Sequence, residues 1–286
     1  MIFRTLAVAA LLTFASLPSE AASSKTPTRP EVRSATALIV DAENGQVLFE
    51  REAAHIAPIA SLTKLMTALV VIDGQQPLDE VIQITRDDVW KGKGAHSRLA
   101  VGSKFTRAEL LKLALMASEN RAAHVLGRNY PGGTAAFVKT MNLKAKALGM
   151  TRSRFADASG LSNHNVSNAR DLVKLVNAAS RDSRIREFST LPSLEVRVGK
   201  SMLMYRNTNL LVGKPEWDIH VQKTGYTNDA GQCLVMETVI VDRPVVMVFL
   251  NSFGSLTRTA DARRIRKWME AQELPRVAGS GDLAKK

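Results

Sequence analysis

Short apolar runs near both ends of the chain predict β-strands. Residues 36–41 and 46–50 flank a turn that ends in Asn44-Gly45, a dipeptide that favours tight hairpins. Further strands are predicted towards the C-terminus, over residues 194–198, 219–224, 232–241 and 245–250. Because hairpin connections join antiparallel strands, these segments predict an antiparallel sheet.

The middle of the chain has the apolar spacing and the capping residues of helices. Thr106 and Glu109 form a capping box before the apolar run 110–116. Other helices are predicted over 61–73, 121–128, 134–149 (with Thr134 as cap), 168–176 and 257–272. The predicted fold class is α+β: an antiparallel sheet built from N- and C-terminal strands and flanked by helices, with an inserted all-helical lobe.

The N-terminal segment has the features of a targeting sequence. Arg4 precedes an apolar run over 6–17, and the small residues Ser19 and Ala21 occupy the positions expected before a cleavage site. We predict a signal peptide over 1–21, in preference to a retained membrane anchor, because the run is short for a bilayer. The chain then divides into a flexible Ser/Thr/Pro-rich leader (22–33), one folded domain (34–275) and a basic tail (276–286).

Composition narrows the classes of partner. The 286 residues carry a formal net charge of +12, which suits nucleic acid, acidic lipid or an acidic cell-wall polymer. Export argues against nucleic acid, and the three Tyr and three Trp form no stacking pattern. Cys233 is the only cysteine, and its apolar surroundings predict a buried thiol. The five histidines form no metal-binding pattern, so no metal and no cofactor is expected.

Ser61 and Lys64 are the first candidate catalytic pair. Their spacing places both side chains on one face of a helix, with Ser61 at its N-terminus. A serine hydroxyl needs a base to become a nucleophile, and Lys64 can serve only when its amine is neutral. Burial and a second cation would both lower its pKa from about 10.4, and Lys223 is the natural second cation.

Two further motifs can complete such a site. In Ser118-Glu119-Asn120, predicted in a turn between two helices, Ser118 can relay a proton and Asn120 can hold a substrate amide. In Lys223-Thr224-Gly225, predicted at a strand end, the first two residues can bind a carboxylate, and Gly225 permits close approach. Each motif alone is more typical of a helix start, a capping turn or a strand end. Their joint occurrence in this order predicts one shared active site.

These motifs resemble those of the low-molecular-mass penicillin-binding proteins, the D-alanyl-D-alanine peptidases, over residues 34–272. The resemblance implies that the domain 34–275 is a catalytic penicillin-binding domain, with Ser61 as acylated nucleophile and Lys64 as its base. Ser118 would be catalytic, and Asn120, Lys223, Thr224, Gly225 and Tyr226 would bind substrate. The oxyanion hole would consist of the backbone N–H groups of Ser61 and Tyr226. Peptidoglycan peptides would be the substrates and β-lactams covalent inhibitors.

Longer strings indicate the endopeptidase branch of this family, which cuts peptidoglycan cross-links. They lie at 58–61, 116–123, 165–167 and 206–209. A carboxypeptidase that trims pentapeptides is the alternative. Many carboxypeptidase relatives continue into a β-rich domain and a membrane helix, whereas this chain stops soon after its last predicted helix. The resemblance therefore favours a periplasmic enzyme without a stable anchor.

Two other functions remain open at this stage. A class A β-lactamase uses a glutamate to activate the deacylating water, and Glu187, Glu195 and Glu216 are the only glutamates between Asn120 and Lys223. None has the expected sequence setting, so slow release of a bound β-lactam is predicted. The second open function is that of a non-enzymatic wall-binding protein. The basic run 263–267 is interpreted as a solvated helix face, with docking to membrane or acidic wall as the alternative.

Overall fold

The structure is a computed structural model that describes residues 29–92 and 96–273. The predicted signal peptide, the basic tail and residues 22–28 of the predicted leader lie outside the described residues. Residues 29–33, the described part of that leader, contact the folded domain: Val32 is buried, and the backbone N–H of Arg33 donates to Asp261. The domain boundaries themselves stay a prediction.

A five-stranded antiparallel sheet has the order β2-β1-β11-β10-β9, so that the two N-terminal strands lie side by side and join the three C-terminal strands through the β1–β11 pair. Its strands are β1 (Thr36–Asp41), β2 (Val47–Arg51), β9 (Asp218–Thr227), β10 (Gly231–Ile240) and β11 (Arg243–Ser252). The α+β prediction, with a sheet drawn from both ends of the chain, is confirmed. β9 is an edge strand, and this edge borders the candidate site.

Helices lie on both faces of the sheet and form a lobe beside it. They are α1 (Thr63–Asp73), α2 (Arg107–Met116), α3 (Asn120–Arg128), α4 (Gly133–Ala147), α5 (Ala169–Ala179), α6 (Ser183–Thr190) and α7 (Thr257–Glu273). The helices α2, α3 and α4 pack around α1 as the helical lobe, whereas α5 packs on one face of the sheet and α7 on the other. The groove between β9 and this lobe is called the cleft below.

Three two-stranded pairings complete the described structure. They are β3 (Ala57–Pro58) with β6 (Val166–Ser167), β4 (Val81–Gln83) with β5 (Lys104–Thr106), and β7 (Ser193–Val198) with β8 (Ser201–Arg206). The alternating pattern predicted β7, but its partner β8, the β4–β5 pair and α6 were not predicted. The segment of β8 has apolar residues at consecutive positions, so its period does not distinguish strand from helix.

The strand pattern divides the core into two layers. Along β11, Val246, Val248 and Leu250 belong to the larger core beneath the helices, whereas the alternate residues belong to the layer beneath α7. Ile265 and Met269 of α7 are buried in that second layer and Trp268 is partly buried, as predicted from the helical spacing. Cys233 is buried, as predicted, and burial raises the pKa of its thiol to about 11.

Several predicted boundaries differ from the observed ones by a few residues. Ser61 precedes α1 in a 3-10 turn, and Asn120 opens α3 instead of lying in the turn before it. The helix α4 begins at Gly133 after Gly132, whose positive φ of 85° ends the preceding turn, so Thr134 is not its cap. β9 continues to Thr227, which places Lys223-Thr224-Gly225 inside the strand.

Candidate active site

Ser61 and Lys64 meet where the chain enters the central helix. Ser61 occupies the 3-10 turn Ala60–Leu62, and Lys64 lies in the first turn of α1. The Lys64 Nζ donates to Ser61 Oγ at 2.7 Å, to Asn120 Oδ1 at 2.7 Å and to the carbonyl oxygen of Ser159 at 2.7 Å. Lys64 is fully buried, and all three of its acceptors are uncharged. The amine is therefore fixed beside the hydroxyl without a direct counter-ion.

Burial lowers the pKa of Lys64 from 10.5 to about 7, and the carboxylates of Asp157 and Glu119 act against that shift. A neutral amine is thus well populated at neutral pH, as a general base requires. Lys223, the predicted second cation, lies close enough for its charge and that of Lys64 to repel each other. Burial, together with the charges of Lys64 and Arg258, lowers the pKa of Lys223 well below its ordinary value. For Lys64 itself, burial is the principal cause.

Asp157 organises the loop that supplies one of the Lys64 acceptors. Its Oδ1 accepts hydrogen bonds from the backbone N–H groups of Ser159 and Gly160, at 2.6 and 2.7 Å. Burial would raise the pKa of Asp157, but the hydrogen bonds outweigh burial and lower it. The carboxylate therefore shapes the loop.

Two glycines enclose the turn that carries Ser61. A Cβ on Gly160, whose φ is +84°, would lie 1.9 Å from the carbonyl oxygen of Ala60. From the opposite side, a Cβ on Gly225 would lie 3.0 Å from the Ile59 carbonyl oxygen and 3.1 Å from the Ser61 nitrogen. Only residues without side chains let the loop and β9 approach the nucleophile this closely.

The second motif crosses from one helix of the lobe to the next. Ser118 has a positive φ of 58° between α2 and α3, and Glu119 caps α3 by accepting from the backbone N–H of Ala122. Asn120 accepts a hydrogen bond from Lys64. Within residues 29–92 and 96–273, the Ser118 hydroxyl makes no hydrogen bond to Ser61 or Lys64. Ser118 and Asn120 line a cavity of about 200 Å³ at the mouth of the cleft.

The third motif forms the opposite wall of the cleft. Lys223 is fully buried, and its Nζ donates to the carbonyl oxygen of Thr224 at 2.8 Å. The Thr224 hydroxyl lies 2.6 Å from that of Thr208, whose backbone N–H donates to the Met116 carbonyl oxygen. Thr208 thereby connects β9 to the end of α2, two residues before Ser118. Thr208 therefore joins the third motif to the second, as the hydrogen bond from Lys64 to Asn120 joins the first to the second.

The residues after Lys223-Thr224 continue along the edge of the sheet. Tyr226 is 57% exposed, and its hydroxyl donates to Asn228 Oδ1 at 3.0 Å. Behind the strand, Nη1 of Arg258 in α7 donates to the carbonyl oxygens of Gly225 and Cys233, at 2.7 and 2.9 Å. The guanidinium therefore attaches the strand with the third motif to the layer beneath the sheet.

Sequence reasoning missed four contributors to this arrangement: Ser159, Gly160, Thr208 and Arg258. The Asp157-to-Gly160 spacing is typical of a turn and carried a usable signal. Thr208 lies in the string 206–209, which contributed only to the resemblance. Arg258 contributes through a contact between distant segments, and no local motif marks it. Among the described residues there is no group of three or more His, Cys, Asp or Glu able to hold a metal. No described helix is long and apolar enough to cross a membrane.

A serine beside a buried lysine, between an edge strand and a helical lobe, is the arrangement expected of an active-site serine hydrolase of the penicillin-binding class. A family profile described as D-alanyl-D-alanine carboxypeptidase, peptidase S11, matches residues 23–254. The chain belongs to this family of serine peptidases.

Individual relatives agree with this placement. The chain is 47% identical to a D-alanyl-D-alanine endopeptidase of Pseudomonas aeruginosa over 253 residues, which cover 88% of this chain and 82% of the relative. It is 43% identical to the Escherichia coli protein of the same name over 270 residues, with 94% and 87% covered. The solved penicillin-binding protein D2 of Listeria monocytogenes, with bound cefotaxime, superposes with a TM-score of 0.74 at 30% identity, covering 85% of this chain and 98% of that chain.

Proposed function

We propose that the protein hydrolyses the D-alanyl cross-links of peptidoglycan through an acyl-enzyme on Ser61. The observation that carries this proposal is the buried, uncompensated amine of Lys64, 2.7 Å from the Ser61 hydroxyl and with a pKa near 7. The names of the two curated relatives, both D-alanyl-D-alanine endopeptidases, support the substrate class.

Acylation begins with proton transfer from Ser61 Oγ to the neutral amine of Lys64. Oγ attacks the carbonyl carbon of the D-alanyl residue, and negative charge develops on the carbonyl oxygen. The backbone N–H groups of Ser61 and Tyr226 are proposed to stabilise that charge. Collapse of the tetrahedral species breaks the C–N bond, and the leaving amine takes a proton that originates from Lys64 and passes through Ser118.

Substrate orientation is assigned to the two walls of the cleft. Asn120 Oδ1 accepts from Lys64, which leaves the Asn120 amide N–H group to donate to a substrate carbonyl. On the opposite wall, an arriving carboxylate would give the buried amine of Lys223 the counter-ion that it lacks, and the Thr224 hydroxyl would donate a second hydrogen bond. Water then attacks the acyl-enzyme and gives its proton to Lys64. Lys64 returns that proton to Ser61 Oγ as the bond between Oγ and the carbonyl carbon breaks, which releases the D-alanyl carboxylate.

Carboxypeptidase action is the second candidate, since the matching family profile carries that description. Both reactions pass through the same acyl-enzyme and differ in the amine released: a cross-linked peptide in one case and free D-alanine in the other. The greater similarity to endopeptidases over most of the chain favours the cross-link.

β-Lactams are proposed to acylate Ser61 and to be released slowly. Support comes from the cefotaxime-bound Listeria relative and from the positions of the glutamates. Glu187, Glu195 and Glu216 are all exposed on outer elements. Asp157 is near Lys64, but both of its carboxylate oxygens accept hydrogen bonds from its own loop. Neither group is thus placed to activate a deacylating water, which argues against β-lactamase turnover.

The location is proposed to be the periplasm, after removal of the signal peptide predicted over 1–21. Loose electrostatic contact with anionic wall or membrane is proposed for the exposed cations Arg263 and Lys267 of α7. Two other arginines of this helix have carboxylate partners, Arg264 with Asp261 and Arg266 with Glu270. Loss of wall binding with rising salt would support this contact, since salt screens exposed charges.

The decisive experiment incubates the protein with cross-linked muropeptide dimers and, separately, with free pentapeptide, and identifies the products. Conversion of dimers to monomers supports the endopeptidase, and loss of only terminal D-alanine from pentapeptide would replace it with the carboxypeptidase. The Ser61→Ala variant is the control. Unchanged cleavage by that variant would exclude an acyl-enzyme on Ser61. If the native protein cleaved neither substrate, a purely wall-binding role would be supported instead.

A further inference from the structure

Beside the second motif, the mouth of the cleft holds a cavity that extends from Ser118 and Asn120 to cationic residues that the reaction described above does not use. Its volume is about 200 Å³, and its lining includes Ser118 and Asn120 together with Arg98, Tyr205 and Arg206. His96 and Glu119 also line it, and the Glu119 carboxylate accepts from the backbone N–H of Ala122. The cavity therefore has two permanent cations that face one carboxylate already engaged in capping α3.

Both arginines are held in place by the residues that follow them. After Arg206, the side-chain amide of Asn207 donates to the carbonyl oxygens of Ser189 and Leu191, both at 2.9 Å. After Arg98, Leu99 is buried, and its carbonyl oxygen accepts a hydrogen bond from Arg121. The two guanidinium groups thus project from fixed backbone positions into the mouth of the cleft.

Tyr205 gives the cavity a polar floor. The guanidinium of Arg98 stacks over its ring, with Cζ 3.9 Å from the ring centroid, and donates to the Met204 carbonyl oxygen at 3.0 Å. Tyr205 is 4% exposed, and within the described part of the chain no acceptor lies within hydrogen-bond reach of its hydroxyl. A buried donor without an acceptor is costly, and a ligand oxygen would satisfy it.

Arg170 and Arg184, two other exposed arginines, pair with carboxylates at 2.9 and 2.6 Å. Within residues 29–92 and 96–273, no carboxylate lies within 4.0 Å of the guanidinium of Arg98 or Arg206. A planar guanidinium matches a carboxylate in a two-pronged hydrogen bond, so an acidic ligand is the chemistry that fits.

We propose that Arg98, Arg206 and the Tyr205 hydroxyl form a subsite that binds a free carboxylate of the substrate peptide, outside the bond that is cut. This inference rests on the proposed peptidase function, because the cavity shares Ser118 and Asn120 with the catalytic cleft. The subsite selects acidic peptides over peptides whose carboxylates are amidated.

The test separates binding from catalysis. Three synthetic D-alanyl peptides are titrated into the Ser61→Ala variant by calorimetry: one with all carboxylates free, and two amidated at one or the other of the two residues that precede the D-alanine. We expect one amidation to weaken binding about ten-fold, which identifies the carboxylate bound, as loss of a charge-assisted hydrogen bond would. Equal affinity for all three peptides would overturn the subsite, whether or not the native enzyme cleaves cross-links.

Single substitutions then identify the residues responsible for the preference for a free carboxylate. In the Ser61→Ala background, Arg206→Gln and Arg98→Gln should each reduce the preference for the free carboxylate to about two-fold or less, and Arg206→Lys should retain part of it. The matched control is Arg197→Gln, an exposed arginine on β7 of the same hairpin. A preference that survives both glutamine variants, or that falls equally in the control, would overturn the assignment. Thermal unfolding checks that each variant is folded.

Discussion

The two sides of the sheet bury charge in opposite ways. Beneath α7, Asp261 is fully buried and accepts hydrogen bonds from the backbone N–H groups of Arg33 and Ser34 and from the Arg264 guanidinium. In the cleft, Lys64 and Lys223 are equally buried, but no carboxylate contacts either amine within the described residues. The Asp261 carboxylate therefore has hydrogen-bond donors and a cation beside it, whereas none of the described carboxylates lies beside the amines of Lys64 and Lys223.

The difference has a direct physical meaning. A buried charge with a full set of partners fixes the structure around it, and its removal leaves donors unsatisfied. A buried amine without a counter-ion is driven towards its neutral form, so its pKa falls and it becomes a base. The compensated side of the molecule therefore holds the fold together, whereas the uncompensated side supplies the reactivity.

Replacing the base should give the largest change in activity. In Lys64→Met, the side chain fills a similar space but cannot accept the Ser61 proton, so acylation by a labelled penicillin should fall about 1,000-fold. Because a buried amine without a counter-ion is removed, the variant should unfold at the same temperature as the native protein or above it. Acylation within ten-fold of the native rate would contradict the assignment of the base.

Replacing Asp261 of α7 should lower stability and leave acylation nearly unchanged. Asp261→Ala leaves the backbone N–H groups of Arg33 and Ser34 without their acceptor, so the free energy of unfolding should decrease by about 3 kcal/mol. The rate of acylation of the folded protein should stay within about three-fold of the native rate. Urea unfolding and penicillin labelling measure the two quantities, and a large loss of acylation at unchanged stability would reverse the comparison.

Arg258 links the two regions, so its replacement should affect both. Arg258→Gln removes the hydrogen bonds to the carbonyl oxygens of Gly225 and Cys233 that attach β9 to α7. We expect acylation to slow by about ten-fold, together with a loss of about 1–2 kcal/mol in the free energy of unfolding. The matched control is Arg263→Gln, an exposed change on the same helix, which should alter neither quantity.

The last expected effect is on the pH dependence of stability. Lys64 has a pKa of about 7 when folded and near 10.5 when unfolded, so the unfolded chain binds more protons between these values. The free energy of unfolding should therefore rise with pH from 7 to 10, and it should rise less steeply in Lys64→Met. Identical slopes for the two proteins, measured by urea unfolding at several pH values, would show that Lys64 is not desolvated in the folded state.

Local patterns were enough to predict most of the sheet and the order of the motifs. The turn at Asn44-Gly45 and the capping box at Thr106 are short-range signals, and both are found in the structure. The contacts that bring the motifs together join segments far apart in sequence. Arg258 reaches Gly225 across 33 residues, and Lys64 reaches Ser159 across 95. Such contacts depend on how the layers pack, which no local pattern specifies.

The same limit applies to the electrostatics. The spacing of Ser61 and Lys64 predicts that the two side chains share a helix face, but the size of the pKa shift depends on complete burial. Sequence reasoning assigned part of that shift to Lys223. The structure shows that burial is the principal cause for Lys64 and that Lys64 and Lys223 lie close enough for their charges to repel each other.

The most direct test of the account is the second-order rate of Ser61 acylation by a labelled penicillin, measured from pH 5 to pH 9. A neutral Lys64 amine as the base predicts a rate that rises through a single inflection near pH 7 and then levels off. A rate that is constant across this range, or that is still rising at pH 9 without an inflection, would contradict the claim that an uncompensated buried lysine activates the serine.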